Sequence, residues 1–251
     1  MPEIAVSSQA PITAFITNSV VFAQPAPKAN APAKNIISVR FFTNSGKEKL
    51  ESDSGALVVA HHTGASCSVQ MQSGNLEVML EADYVWTMQP DTHILPLPNA
   101  DTAWLGALNL PASALETGLT VLCAGTLEKH NVIVPITEKS LEFAPNFAAL
   151  ADLLQNHQLN GCIAVSFISS RATLEYRFFA PHKGLPEDNA GAFSLASICG
   201  YLAAHRPSGL QDIVAAQGYT MQKPSELRAR FVARDSTALA VRVGGQVQLV
   251  P

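Results

Sequence analysis

"YRFFAPHKGLPEDNAGAFSLASICGYLAAH", residues 176–205, changes character halfway along. Its opening reads as a strand followed by a polar loop containing Gly and Pro. From Asn189 to Ala204 no residue is charged, and apolar or small residues fill every side of a helical wheel. A helix that is apolar all round is a buried helix. Two carboxylates, Glu187 and Asp188, stand immediately before it. An earlier stretch, "VRFFTNSGKEKLESDSGALVVAHH" at residues 39–62, follows the same plan. It has the same Arg-Phe-Phe strand, a polar loop with Gly and an acid, and a small apolar run ending in His. Arg40 and Arg177 are 137 positions apart, with Glu48 eight residues past the first and Asp188 eleven past the second. A period this long is no solenoid repeat. It predicts two copies of one domain facing each other across a cleft, a common setting for a ligand. The alternative is two unrelated strands, because amphipathic strands draw on few residue types.

Working outward, "PITAFITNSVVF" has strand composition, and "QPAPKANAPAKN" reads as a Pro/Ala-rich loop. "IISVRFFT" is a strand and "GALVVAHH" begins a short helix. "SCSVQMQSGNLEVMLEADYVWTMQP" reads as a hairpin around Ser73-Gly74-Asn75. "PLPNADTAWLGALNLPASALETG" reads as an irregular or helical linker. A second cycle follows with the two strands of "LTVLCAGTLEKHNVIVPI". "PNFAALADLLQNH" is the clearest amphipathic helix, with Phe147, Leu150, Leu153 and Leu154 on one stripe and Pro145-Asn146 as its start. "GCIAVSFIS" and "TLEYRFFA" are strands, and the end of the chain forms two or three more, with Gly244-Gly245 at a turn. These elements divide into a first lobe over 1–116, which a last strand over 239–251 can complete, and a second over 117–238.

Composition bounds the function. Hydrophobic residues make up 47% of the 251 and charged ones 14%, which specifies a folded chain with a large core. A net charge of −4 without a Lys/Arg cluster argues against a nucleic-acid partner. Four scattered cysteines without a C-x-x-C read as buried thiols of a reducing, cytoplasmic protein. No apolar run is long enough to span a bilayer. The N-terminal apolar stretch lacks the basic flank of a signal peptide. No metal-ligand spacing, P-loop, G-x-S-x-G or dinucleotide fingerprint is present, so neither a metal nor a cofactor is expected.

The helix starts carry the chemistry. Each exposes unpaired N–H groups and the positive end of a macrodipole, a site for an anion without Lys or Arg. Small residues permit close approach: Ser54 and Gly55 in the first copy, Ala190, Gly191 and Ala192 in the second. Together the two starts would hold a substrate carboxylate while adjacent acids move protons. Plainer roles stand beside these. Asp188 or Asn189 can serve only as an N-cap, as can Asp53. Glu48 alone would be a solvated loop acid. His61 and His62 can cap carbonyls at a helix end, and His182 can be a surface-loop residue.

"RFFAPHKGLPEDNAGA" resembles the second signature of the phenazine-biosynthesis PhzF-like family, R-x-F-x-P…G-x-x-E-D-P-A-T-G-S-A. "RFFTNSGKE…SGALVVAH" is similar to its first, R-W-F-T-P…E…C-G-H-A-T-L-A. "ITAFI" looks like its S-E-T-A-F strand, and "AAQGYTMQKPSELRARFV" with "VRVGGQVQLV" resembles its ending. The resemblance implies a diaminopimelate-epimerase-like α/β fold: two similar lobes, each a curved mixed sheet around a central helix, usually paired as homodimers. It implies a cofactor-independent isomerase or epimerase acting by acid/base proton transfer on a small carboxylate-bearing metabolite, with secondary metabolism as one setting. Glu48 then falls on the family's essential Glu and Asp188 on the Asp of its E-D-P motif. Asp53, Ser54, Gly55, His182, Ala190, Gly191, Ala192 and Phe193 fall around the substrate. The G-H-A motif has become Asp53-Ser54-Gly55, and Phe193 stands where a small polar residue is usual. No Cys lies at either helix mouth, which excludes the two-thiol chemistry of the related epimerases. The family's G-N-P segment is missing, as if the chain starts one strand and one helix late. These departures leave an alternative: a PhzF-like protein repurposed for binding, or for a cyclisation or pericyclic step without proton transfer. An unpaired first-lobe edge predicts a homodimer joined by strand addition between Val69 and Trp86.

Overall fold

The structure is a computed structural model that describes residues 12–22, 34–43, 46–97, 101–137, 139 and 141–247. It is a mixed α+β fold in which strands predominate, and the chain divides into two compact units. Unit 1 comprises residues 1–88 and 244–251, and unit 2 residues 89–243. The boundary therefore falls earlier than 116. The expected linker contains helix α2 (Asp101–Ala107), whose Trp104 and Leu105 are buried in the core of unit 2. Of the expected Pro/Ala-rich loop, residues 24–33 lie outside the described residues, and Lys34 and Asn35 open a strand.

Unit 1 contains β1 (Ile12–Phe22), β2 (Lys34–Thr43), β3 (Glu48–Lys49), α1 (Asp53–Thr63), β4 (Cys67–Met71), β5 (Gly74–Glu81) and β6 (Tyr84–Met88). The strands lie in the order β1-β2-β4-β5-β6, with β3 also paired to β2. The parallel pair β2–β4 brackets α1, and its other ladders are antiparallel. Alternation along β2 sends Ile37, Val39 and Phe41 toward Ala56, Val59 and Ala60 of α1, with Val69, Val78 and Val85 closing the core. The expected hairpin is a three-stranded meander. Strand β4 pairs with β2 through Ser68–Gln70 and with β5 through Cys67–Met71, and β5 pairs with β6 through Val78–Glu81. Among the described residues the strands of unit 1 paired on one side are β1 and the two-residue β3.

Unit 2 contains β7 (Thr92–Leu95), α2, β8 (Leu122–Gly125), β9 (His130–Pro135), α3 (Phe147–Asn156), β10 (Gly161–Ser166), β11 (Leu174–Ala180), β12 (Leu185–Asp188), α4 (Ala192–His205), β13 (Gly209–Gln217), β14 (Ser225–Arg234) and β15 (Thr237–Gly245, the last two residues counted with unit 1). The order β15-β14-β13-β11-β10-β9-β8-β7 closes on itself, because Thr237 and Ala238 pair with His93 and Thr92. The ring encloses α4, which is buried from Ala192 through Ala203. Closure around a helix demands small side chains: a Cβ on Gly200 would lie 3.0 Å from the Thr92 backbone. Thr92 Oγ1 donates to the Ala196 carbonyl at 2.7 Å, tying helix to strand. Outside the ring, α2 and α3 cover Val132, Val134, Cys162, Ala164 and Phe179. Their neighbours Ile133, Ile163 and Val165 face α4. Strands covered on both faces have to be apolar throughout, which is why "NVIVPI" and "GCIAVS" do not alternate. Asn146 caps α3 by accepting from the Ala149 N–H at 3.1 Å. The β14–β15 turn is made by Asp235-Ser236, both at positive φ. Gly244 is not at a turn: it lies in β15, where a Cβ would stand 2.2 Å from the Val85 carbonyl.

The repeat is visible in the pairings. Strand, antiparallel strand, short return, helix, parallel strand and antiparallel strand occur as β1-β2-β3-α1-β4-β5 and again as β10-β11-β12-α4-β13-β14. Among the described residues unit 1 has no counterpart of β7–β9, α2 or α3. No helix among them is long and apolar enough to cross a membrane.

All four cysteines are free and buried. Burial pushes the Cys67 thiol up to about 11 and Cys123 up to about 12, and raises Cys162 and Cys199 further still. Only the thiolate is reactive. At pH 8, below every one of these values, iodoacetamide is expected to leave the native protein unmodified and to add four carbamidomethyl groups in urea, as read by intact mass.

Candidate functional site

In unit 2 the site is built where β12 hands over to α4. Consecutive strand residues point to opposite faces. Glu187 is thereby directed to Arg177, and Asp188 to the mouth of α4. Gln217, which is 1% exposed, staples the connecting loop. Its amide donates to the Asp188 carbonyl at 2.7 Å, and its Oε1 accepts the Gly191 N–H at 3.2 Å. One oxygen of Asp188, Oδ1, accepts the Asn189 N–H at 2.9 Å. The other, Oδ2, would be 3.3 Å from a Cβ placed on Gly191, so it stands over the helix start. The N-cap is Gly191, which supplies no side-chain cap. Beneath, Ser194 Oγ donates to the Gly191 carbonyl at 2.7 Å, with the Tyr176 hydroxyl 3.3 Å from the same oxygen. Burial, assisted by the charge of Asp188, pushes the Tyr176 phenol well above its ordinary value, so it stays protonated.

Ala192 and Phe193 are buried in the first turn, and Ala190 is half-buried in the loop. Lys129 lies over the Phe193 ring at 4.6 Å. A polar ladder anchors this turn from behind. Lys183 donates to Asn160, Asn160 to Asn131, Asn131 to Ser197, and Ser197 to the Phe193 carbonyl, at 2.7, 2.8, 2.8 and 3.0 Å. His182 sits in the short helical turn Pro181–Lys183 between β11 and β12, a turn that packs against α3. Burial, then the Lys183 charge, hold its pKa below the ordinary value, and no hydrogen bond joins it to the 188–191 loop.

The start of α1 is different. Ser52, not Asp53, is its N-cap, accepting the Gly55 N–H at 3.1 Å. Asp53 is the first helical residue, and Ser54 Oγ lies 3.5 Å from Ser52 Oγ. Gly55 is required by Phe41, whose ring carbon would be 2.4 Å from a Cβ there. At the other end Gly64, in the left-handed conformation, makes the cap to the His61 carbonyl instead of either His. Glu48 is held by Arg40: Nε to Oε1 at 2.7 Å and Nη2 to Oε2 at 2.6 Å. That hydrogen bonding holds the Glu48 carboxyl below its ordinary range.

Register decides which residues correspond. Phe41 pairs with Lys49 and Phe42 with Glu48; Phe178 pairs with Asp188. Counted from the Arg of each strand, Lys49 is the counterpart of Asp188, and Glu48 that of Glu187. Glu187 confirms the match, because Arg177 clasps it through Nε and Nη2 at 2.8 and 2.7 Å, as Arg40 clasps Glu48. The two acids singled out by spacing are thus not equivalent. Near-equal spacing from Arg was misleading because the second loop is longer. Gln217, Tyr176, Ser194 and Asn131 were not legible as site residues, since their roles come from non-local contacts. The "ITAF" run forms the start of β1, and Ile12 stands where the S-E-T-A-F motif has its acid. Among the described residues no three His, Cys, Asp or Glu are grouped to hold a metal.

A family profile described as phenazine biosynthesis-like protein matches residues 1–250. Several solved structures share the fold. A phenazine biosynthesis protein of the PhzF family from Bacillus anthracis has a TM-score of 0.78 at 15% identity, over 98% of this chain and 85% of that one. A PhzF-family protein from Enterococcus faecalis has a TM-score of 0.64 at 18% identity, over 100% and 84%. A predicted epimerase from Pseudomonas aeruginosa has a TM-score of 0.69 at 20% identity, over 100% and 86%. Among curated proteins, none matches the chain significantly.

Proposed function

Because the chain belongs to the phenazine biosynthesis-like family, we propose that it is a cofactor-independent isomerase in which Asp188 carries the proton. Family membership and the predicted epimerase among its structural neighbours support an isomerase- or epimerase-like role. The observation that carries the residue assignment is the contrast between acids. Both oxygens of Glu48 and both of Glu187 are held by guanidinium groups, whereas Asp188 has its Oδ2 over the start of α4, whose N-cap Gly191 supplies no side-chain cap. A clasped carboxylate held below its ordinary pKa is a weak base, so Glu48 is better suited to holding its loop. The uncapped amides of α4 suit a substrate carboxylate. Asp188 would take a proton from carbon beside that group and return it at another position, the same acid serving as base and then as acid.

The test is deuterium incorporation from D2O into a panel of small unsaturated and 2-substituted carboxylates, followed by proton NMR. Asp188→Asn is expected to slow exchange about 10²–10⁴-fold, with Glu48→Gln close to wild type. The reverse order would overturn the assignment. A second reading, a binding or cyclising protein without proton transfer, is favoured by Ile12 and Lys49, residues without a carboxylate where the motif and the repeat have acids. Saturable binding of a panel member without any exchange supports that reading.

A further inference from the structure

We infer that Lys183, Asn160, Asn131 and Ser197 are positioning residues of the α4 mouth: they form an oriented relay that makes the Ser194 N–H a stronger donor to an anionic group of the substrate. The inference rests on the reading of that mouth as the substrate site. It starts from a misfit in the sequence of β9. Asn131 lies two residues before Ile133, on the face of β9 turned to α4, where Ile133 belongs to the apolar core. Asn131 and Ser197 are both buried there, at 0% exposure. An amide and a hydroxyl among aliphatic side chains cost stability unless each is hydrogen-bonded. Here each is, and always in the same sense. Both amides accept through Oδ1 and donate through Nδ2, from Lys183 to Asn160, Asn160 to Asn131, and Asn131 to Ser197 Oγ. The Ser197 hydroxyl donates in turn to the Phe193 carbonyl at 3.0 Å. Asn160 is set in line by its own N–H, which donates to the His130 carbonyl at 2.8 Å. The chain of bonds runs from an exposed ammonium to a buried helix carbonyl without a reversal.

The last acceptor decides what the relay does. The Phe193 carbonyl and the Ser194 N–H belong to one peptide unit and share its resonance. A hydrogen bond accepted by that oxygen draws density from the nitrogen and strengthens the N–H as a donor, and aligned bonds reinforce one another by about 10–30% each. Ser194 is the third residue of α4. The first bond within the helix runs from the Leu195 N–H to the Gly191 carbonyl at 3.2 Å, so the Ser194 amide precedes it, among the donors that a helix start leaves open. Helix α1 treats the same amide differently. Gly55, its third residue, gives its N–H to the N-cap Ser52 at 3.1 Å. In α4 the N-cap is Gly191, without a side chain, and the Ser194 hydroxyl is turned back to the Gly191 carbonyl at 2.7 Å. Among the described residues unit 1 has no counterpart of β9, hence none of Asn131. One helix start spends its third amide on a cap, while the other leaves it without one and reinforces it from behind. A ladder that only anchored α4 would need neither a charge at its outer end nor a single direction.

The experiment follows the Ser194 amide of the ¹⁵N-labelled protein, alone and titrated with sodium acetate against sodium chloride at equal ionic strength. In the wild type, acetate is expected to move this amide downfield and saturably, and chloride is not. Lys183→Gln keeps a donor at the exposed end of the relay but removes the charge, and Ser197→Ala removes the last link. Each is expected to move the ligand-free Ser194 proton upfield and to weaken acetate about two- to fivefold, while Lys183→Arg stays at the wild-type position. The double variant separates a relay from the through-space field of Lys183: in the Ser197→Ala background, Lys183→Gln adds nothing. Additive losses overturn the relay, as does an unmoved Ser194 proton in Lys183→Gln or the absence of a saturable acetate shift. If Ser197→Ala does not fold, the Lys183→Gln shift decides alone. A purely structural ladder would lower the melting temperature and leave the Ser194 shift unchanged. None of these readouts involves proton transfer, so a failed assignment of Asp188 leaves this result standing, and a failed relay leaves the exchange result standing.

Discussion

Arg177→Met is expected to destabilise unit 2 by about 3–5 kcal/mol, the range for leaving one member of a buried ion pair without its partner. The guanidinium is 8% exposed and Glu187 12%. It donates twice to Glu187 and twice to backbone carbonyls, and lies against the rings of Phe143 and Phe179 at 4.4 and 4.9 Å. Removal strands a carboxylate and two carbonyls in an apolar layer. Thermal unfolding should shift down by roughly 10 °C. Arg177→Met combined with Glu187→Gln should recover part of the loss, because the stranded charge is then gone. The same substitution at Arg40 provides the control. It holds its Glu by the same two bonds, but its side chain is 48% exposed and the Phe42 ring lies beneath it at 5.2 Å. Water replaces the lost partner there, so no measurable shift in melting temperature is expected. Equal shifts for the two arginines would show that α2, α3 and the 141–143 segment do not create the difference.

Ala192→Asp is the second large effect. Ala192 is the first residue of α4 and 4% exposed. A carboxylate here gains about 0.3–1 kcal/mol from the helix dipole. It loses several kcal/mol through burial without partners, and it sits beside Asp188, which already faces Gly191. Burial wins, and the variant is expected to be insoluble or to melt well below wild type. A melting temperature within error of wild type would mean that α4 is not enclosed at its start.

The long uncharged run from Asn189 to Ala204 was sufficient to identify α4 as a buried helix, because no other placement hides apolar side chains on every face. The paired Arg-Phe-Phe strands likewise revealed the internal repeat, and Asn146 marked the start of α3. These are local signals: periodicity, capping chemistry and charge absence act within a turn or two of chain. The strand Gly209–Gln217 carries a weak local signal, since its pattern alternates only in part, and besides its neighbour β14 it pairs with β11, far away in sequence. The segment 96–116 reads like a linker because Pro and Asn punctuate it, while Trp104 is buried by residues distant in the chain, those of α3 and β9 among them. What the sequence by itself determined was the family, the repeat and the central helix. Tertiary structure alone decided which acids correspond, that Arg177 is buried where Arg40 is not, and that Asp188 stands over the start of α4 while Glu48 is clasped by Arg40. Strand register and layer coverage are set by contacts between residues distant in the chain, and spacing along one strand and its loop does not encode them.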